Sequence, residues 1–128
     1  MEFNGTVLIV DDEPHIRKYI GLILRKFGNP TIIEAGDGEE ALALYTQHTP
    51  DLVLLDVNMP MMDGLQCLER LEAEHPDALV VMLTSLATRN VVERCLELGA
   101  VNFVRKDTPK DVMAKVLADT IDDNFGAE

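Results

Sequence analysis

Apolar residues in this sequence gather in five short runs: Thr6–Val10, Thr31–Ala35, Asp51–Leu55, Leu79–Leu83 and Asn102–Val104. Three of them, TVLIV, DLVLL and LVVML, are almost continuously apolar. That pattern belongs to strands buried on both faces, as in a parallel sheet covered by helices. The second and fifth runs are weaker and suit the edges of the sheet. Between the runs the period becomes helical. Ile16, Ile20, Ile23 and Phe27 recur at helical spacing with Leu24 beside them, behind Pro14 and ahead of Gly28. Asp37-Gly-Glu-Glu40 has the form of a capping box for a second helix through Ala41, Leu42 and Tyr45. Leu65, Leu68 and Leu71 mark a third, ending near His75-Pro76. Val92, Cys95 and Leu96 mark a fourth, stopped by Gly99. Thr108-Pro-Lys-Asp111 opens a fifth, with Met113, Val116, Leu117 and Ile121 inward.

This alternation predicts an α/β fold, a doubly wound five-stranded parallel sheet with five helices. Ligands of such sheets bind beyond the carboxyl ends of the strands, where strand order reverses. The residues just after each strand therefore carry the chemistry. After the first come Asp11, Asp12 and Glu13; after the third Asp56, Val57 and Asn58; after the fourth Thr84 and Ser85; after the fifth Arg105 and Lys106. The second ends in Glu34-Ala35-Gly36, without evident chemistry.

Carboxylates converging on one mouth repel. Two unit charges 4 Å apart cost about 4 kcal/mol at an effective dielectric near 20. Either one carboxyl is protonated or a cation sits among them. The donors are all oxygen, which favours Mg²⁺, or Mn²⁺, over Zn²⁺. Lys106 and the Thr84 hydroxyl could clamp phosphoryl oxygens from the far side. Asp56, on the central strand, is the best placed nucleophile for forming an acyl phosphate.

Composition narrows the partners. The chain has 128 residues, a one-domain length, with 23 acidic and 11 basic side chains and a formal charge of −12. That balance argues against nucleic acid and against anionic lipid, and favours cations or a basic protein patch. Cys67 and Cys95 lie in helical segments without a C-x-x-C motif, which suggests buried free thiols in a reducing cytoplasm. MEFNG is unlike a signal peptide, and no apolar run approaches the ~20 residues of a membrane span.

V-L-I-V-D-D-E-P at Val7–Pro14, L-L-D-V-N-M-P-M-M-D-G at Leu54–Gly64, and Thr84 with Lys106 together resemble the response-regulator receiver domain of two-component signalling. The similarity runs from about Gly5 to Asp122, which implies a receiver domain over residues 1–123 and a short tail over 124–128: a single-domain regulator if this is the natural chain, or the receiver of a longer protein if an output domain follows residue 128. It also implies the flavodoxin-like strand order 2-1-3-4-5. Asp56 is then expected to accept a phosphoryl group from a histidine kinase or histidine phosphotransfer protein. Asp12 would bind Mg²⁺ directly, Asp11 through water, Asp56 through its carboxylate and Asn58 through its carbonyl. Thr84 and Lys106 would hold phosphoryl oxygens, and Phe103 stands at the position of a switch aromatic. Phosphorylation would then bias pre-existing conformations and reshape the surface of helix 4, strand 5 and helix 5. The expected assembly is a monomer or a weak phosphorylation-dependent dimer acting on a protein target.

Three positions depart from the family pattern: Asp107 where proline usually follows the lysine, Ser85 beside the phosphoryl site, and apolar Leu86 two residues after Thr84. Leu86 suggests slow self-dephosphorylation. Other readings are an aspartyl phosphatase, a flavin carrier and a degenerate scaffold. The first is disfavoured by D-D in place of D-x-D and by the lack of a cap insertion. The second is disfavoured by the absence of Trp, and the third by the complete acidic set. Singly, each residue has a plainer role: Asp11 and Asp12 as helix caps, Asp56 as a turn residue, Thr84 as a loop hydroxyl, Lys106 as a solvated cation and Phe103 as core.

Overall fold

The computed structural model describes residues 2–85 and 88–125. Five parallel strands, β1 (Thr6–Val10), β2 (Thr31–Ala35), β3 (Leu52–Asp56), β4 (Val80–Thr84) and β5 (Asn102–Arg105), form one sheet in the order β2-β1-β3-β4-β5. They alternate with α1 (Pro14–Leu24), α2 (Gly38–His48), α3 (Gly64–Glu74), α4 (Arg89–Glu97) and α5 (Lys110–Phe125), and a 3₁₀ turn at Arg25–Phe27 closes α1. The expected fold class and strand order are both present.

Strand alternation divides the core in two. Val7, Ile9, Leu52, Leu54, Val81 and Leu83 meet Ile20, Ile23 and Leu24 of α1 and Met113, Leu117 and Ile121 of α5. Leu8, Val10, Val53, Leu55, Val80 and Met82 meet residues of α2, α3 and α4 on the other face. Side chains two apart share a face, so an unbroken apolar run supplies both layers at once. The weaker runs β2 and β5 are the edges, as their partial burial requires.

Several boundaries differ from the sequence reading. β3 and β4 each end one residue later, so Asp56 and Thr84 belong to the ladder, with Asp56 beside Leu83 and Thr84 beside Arg105. The Asp37 motif is only half a capping box. Asp37 accepts from the Glu40 amide at 2.8 Å, but Glu40 Oε1 turns to the Gly36 amide at 2.7 Å. The complete box opens α3, where Asp63 and Gln66 exchange bonds of 2.9 and 3.0 Å. On α4 only Cys95 is buried; Val91 packs on the core, while Leu96 is 49% exposed. α5 continues through Asn124 to Phe125, whose ring stands 5.3 Å from that of Phe3.

Candidate functional site

Sheet register assembles the site. Val10 pairs with Leu55, so the next residues, Asp11 and Asp56, emerge side by side at the point where strand order reverses. Leu83 pairs with both Asp56 and Val104, which brings Thr84 and the β5 terminus alongside. The Lys106 amide donates to the Thr84 carbonyl at 2.7 Å. Asp11, Asp56 and Thr84 are buried, whereas Asp12 and Asn58 are exposed at the rim.

Lys106 Nζ lies 2.7 Å from Asp11 Oδ2, 3.0 Å from Asp56 Oδ2 and 3.6 Å from Glu13 Oε1. Both Oδ2 atoms are buried, with no hydrogen-bond partner besides these ionic contacts. Oδ1 of Asp11 accepts from the Glu13 amide at 2.9 Å, and Oδ1 of Asp56 from the Asn58 amide at 3.2 Å. Burial pushes the Asp56 carboxyl up to about 6, and the Asp11 charge adds to this; Lys106 and the Asn58 amide pull the other way. For Lys106, burial alone would lower the pKa, but Asp11 and Asp56 outweigh it and raise it. The mouth thus holds more negative charge than one ammonium balances.

Carboxylate oxygens of Asp11, Asp12 and Asp56 lie within 4.8 Å of one another. With the two Oδ2 atoms having no partner besides Lys106, this hard-oxygen cluster fits a small divalent cation such as Mg²⁺. The capping alternative for Asp11 and Asp12 is not what the helix uses. Glu13 is the N-cap of α1, without a side-chain cap bond, and Pro14 fills the first position. The plainer reading of Lys106 as a solvated cation fails too, since its side chain is only 11% exposed.

Phe103 is half-buried against the α2–α3–α4 layer. Met59 is buried and Met62 packs on the same layer, but Met61 is 95% exposed with a left-handed backbone (φ 69°). His15 is exposed beside Glu13. His75 caps α3 and stacks on Tyr45 with ring centroids 4.6 Å apart. Asp107 makes a forked ion pair with Arg105 at 2.9 Å. Leu86 lies outside the described residues. Sequence reasoning gives two contributors no role. Arg17 donates to the Asp11 carbonyl at 2.6 Å, and Gly64 lies against the Asp56 backbone.

The doubly wound parallel sheet thus carries an acidic, lysine-bridged mouth at its switch point. The model of the response regulator receiver domain matches residues 7–118, and the chain belongs to that family, the receiver domain of two-component response regulators. It is 32% identical over 115 residues to the chemotaxis protein CheY of Bacillus subtilis, covering 90% of this chain and 96% of that one. It is 40% identical over 100 residues to the transcriptional regulatory protein PdtaR of Mycobacterium tuberculosis, covering 78% of this chain and 48% of that protein. A chain in the crystal structure of the CheX–CheY–BeF3–Mg²⁺ complex from Borrelia burgdorferi superposes with a TM-score of 0.83 at 37% identity, over 91% of this chain and 86% of that one. The chain spans about half the length of the transcriptional regulators it matches. No helix among the described residues is long and apolar enough to cross a membrane.

Proposed function

We propose that Asp56 is the phosphoacceptor of this signalling domain, and that Asp11, Asp12, Asp56 and the carbonyl of Asn58 hold Mg²⁺, or Mn²⁺, beside it. The observation that carries this reading is Lys106 Nζ between two buried carboxylates, Asp11 and Asp56, whose facing oxygens have no other partner. When bound, the cation neutralises charge on the carboxylates and on an incoming phosphoryl group. An Asp56 carboxylate oxygen attacks phosphorus as the P–N bond of a phosphohistidine breaks, and the donor imidazole leaves. Lys106, already at the end of β5, pairs with one phosphoryl oxygen. The Thr84 hydroxyl donates to another.

The phosphoryl donor is a histidine kinase or histidine phosphotransfer protein. Each phosphorylation changes this chain and not a separate substrate pool, so the domain acts as a switch, without multiple turnover. Thr84 moving toward the phosphoryl group leaves room for Phe103 to turn inward, and the surface of α4, β5 and α5 then offers a different face to a protein target. The domain works in the cytoplasm without nucleic acid, and is a monomer or a weak phosphorylation-dependent dimer. Apolar Leu86 slows loss of the phosphoryl group.

Incubation with acetyl phosphate and Mg²⁺, followed by intact mass, tests the core of this reading. The parent gains one phosphoryl group, while Asp56→Ala and an EDTA-treated sample gain none. Labelling of Asp56→Ala to the parent's extent overturns the assignment. A Leu86→Glu variant whose acyl phosphate decays at the parent's rate overturns the role given to Leu86.

A further inference from the structure

Asp11 is held at three polar groups. Its amide donates to the Ala35 carbonyl at 3.1 Å, its Oδ1 accepts the Glu13 amide at 2.9 Å, and its carbonyl accepts from Arg17 Nη1 at 2.6 Å. Oδ2 is left to face the mouth, 2.7 Å from Lys106. The carbonyl bond has a second effect. That oxygen belongs to the planar peptide group joining Asp11 to Asp12. Holding it fixes the rotation of the plane, and so the direction in which the Asp12 side chain leaves the backbone. Asp12 is exposed at the rim, yet its carboxylate stays within 4.8 Å of those of Asp11 and Asp56.

Arg17 is itself braced. Its Nε donates to Glu34 Oε1 at 2.7 Å, and its side chain is 17% exposed. The β1–β2 register sets Glu34 beside Ile9, within reach of α1. The guanidinium fork serves the Glu34 carboxylate and the Asp11 carbonyl from two different nitrogens, Nε and Nη1, whose spacing a single ammonium nitrogen does not reproduce.

We propose that Arg17, braced by Glu34, is a positioning residue for the divalent-cation site, acting through the Asp11–Asp12 peptide to keep the Asp12 carboxylate in the mouth. This rests on the reading that the acidic mouth binds Mg²⁺. The sign of the effect separates positioning from charge. Arg17 is a cation near a cation site, so removing its field alone tightens Mg²⁺ binding. Removing a positioning contact loosens it, by about tenfold for a supporting partner of a metal ligand.

The experiment is calorimetric titration of Mg²⁺ into the phosphate-free full chain, with urea melts in EDTA alongside. Arg17→Ala raises the Mg²⁺ dissociation constant about tenfold, and Arg17→Lys and Glu34→Gln raise it by less. In an Asp12→Asn background, Arg17→Ala adds little, because the two act through one carboxylate. A parent that binds no Mg²⁺ overturns the cation site itself. A parent that binds, with Arg17→Ala equal or tighter, overturns the positioning role alone, as does full additivity with Asp12→Asn. If Arg17→Ala does not fold in EDTA, Arg17→Lys and Glu34→Gln decide: unchanged affinity in both overturns the role.

Discussion

Gly64 lies directly against Asp56. A Cβ at Gly64 would overlap the Asp56 carbonyl oxygen and come within 2.7 Å of the Val57 Cα, and the Gly64 amide donates to the Val57 carbonyl at 2.7 Å. The obstacle is backbone, which cannot swing aside as a side chain can. Gly64→Ala therefore pushes the start of α3 away from the end of β3. Overpacking of this kind costs about 1–3 kcal/mol. The expected outcome is a lower urea midpoint together with slower acetyl-phosphate labelling, because the displaced backbone carries the Asp56 carboxylate. A Gly64→Ala variant with the parent's midpoint would show that the loop yields freely.

Cys67 and Cys95 are fully buried free thiols, and burial pushes the Cys67 thiol up to about 12. The thiolate is the reactive form, so both should be inert while the fold persists. Iodoacetamide at pH 8 is expected to leave the native mass unchanged for hours and to add two groups in urea. Rapid native labelling of either cysteine would mean that the α2–α3–α4 layer opens far more readily than its packing indicates.

The apolar runs were sufficient for the strands, the edges and the helical order, because burial on two faces leaves a mark in composition. Three strands run one residue past their apolar stretch, through Asp56, Thr84 and Arg105, for a physical reason. Hydropathy breaks at the first polar side chain, while the backbone ladder is indifferent to it and continues by one residue. The cluster of Asp11, Asp12, Asp56 and Lys106 was legible since each follows or ends a strand whose carboxyl end must face the switch point. Arg17 and Glu34 were not. Their contact spans seventeen positions and depends on the β1–β2 register, which no local pattern encodes. Leu96 faces outward: only Cys95 of α4 is buried, with Val91 as its partly buried neighbour, so the inward stripe lies one position away from Val92 and Leu96.

Glu72 sits on α3 with Oε1 buried and without a hydrogen bond, facing Gly99, whose absent Cβ would stand 2.7 Å from the Glu72 carboxyl carbon. Burial raises its pKa above the ordinary 4.5. A carboxyl raised on folding binds its proton more tightly in the native state. Its contribution to stability is therefore complete below the unfolded value and is lost as pH climbs through the folded one. Glu72→Gln removes this ionisation. Its melting temperature should exceed the parent's at pH 7, with the gap closing by about pH 4. A gap that is constant across this range would assign the effect to packing and not to charge.

Lys106 is the one cation within ion-pair reach of the Asp11 and Asp56 carboxylates among the described residues, and both carboxylates are wholly buried. Lys106→Met keeps much of the stem and removes the ammonium, which leaves two facing carboxylates with no counter-charge. Breaking a buried ion pair from one side costs about 3–5 kcal/mol. The metal-free variant should accordingly unfold at distinctly lower urea at pH 8. A cation that binds only the native state stabilises it by mass action. In the variant that cation also supplies the missing positive charge, so millimolar Mg²⁺ should raise its urea midpoint by more than it raises the parent's. Melts of both proteins with EDTA and with Mg²⁺ give the comparison directly. If Mg²⁺ stabilises the variant no more than the parent, the lysine and the cation do not share these carboxylates, and the mouth is organised in some other way.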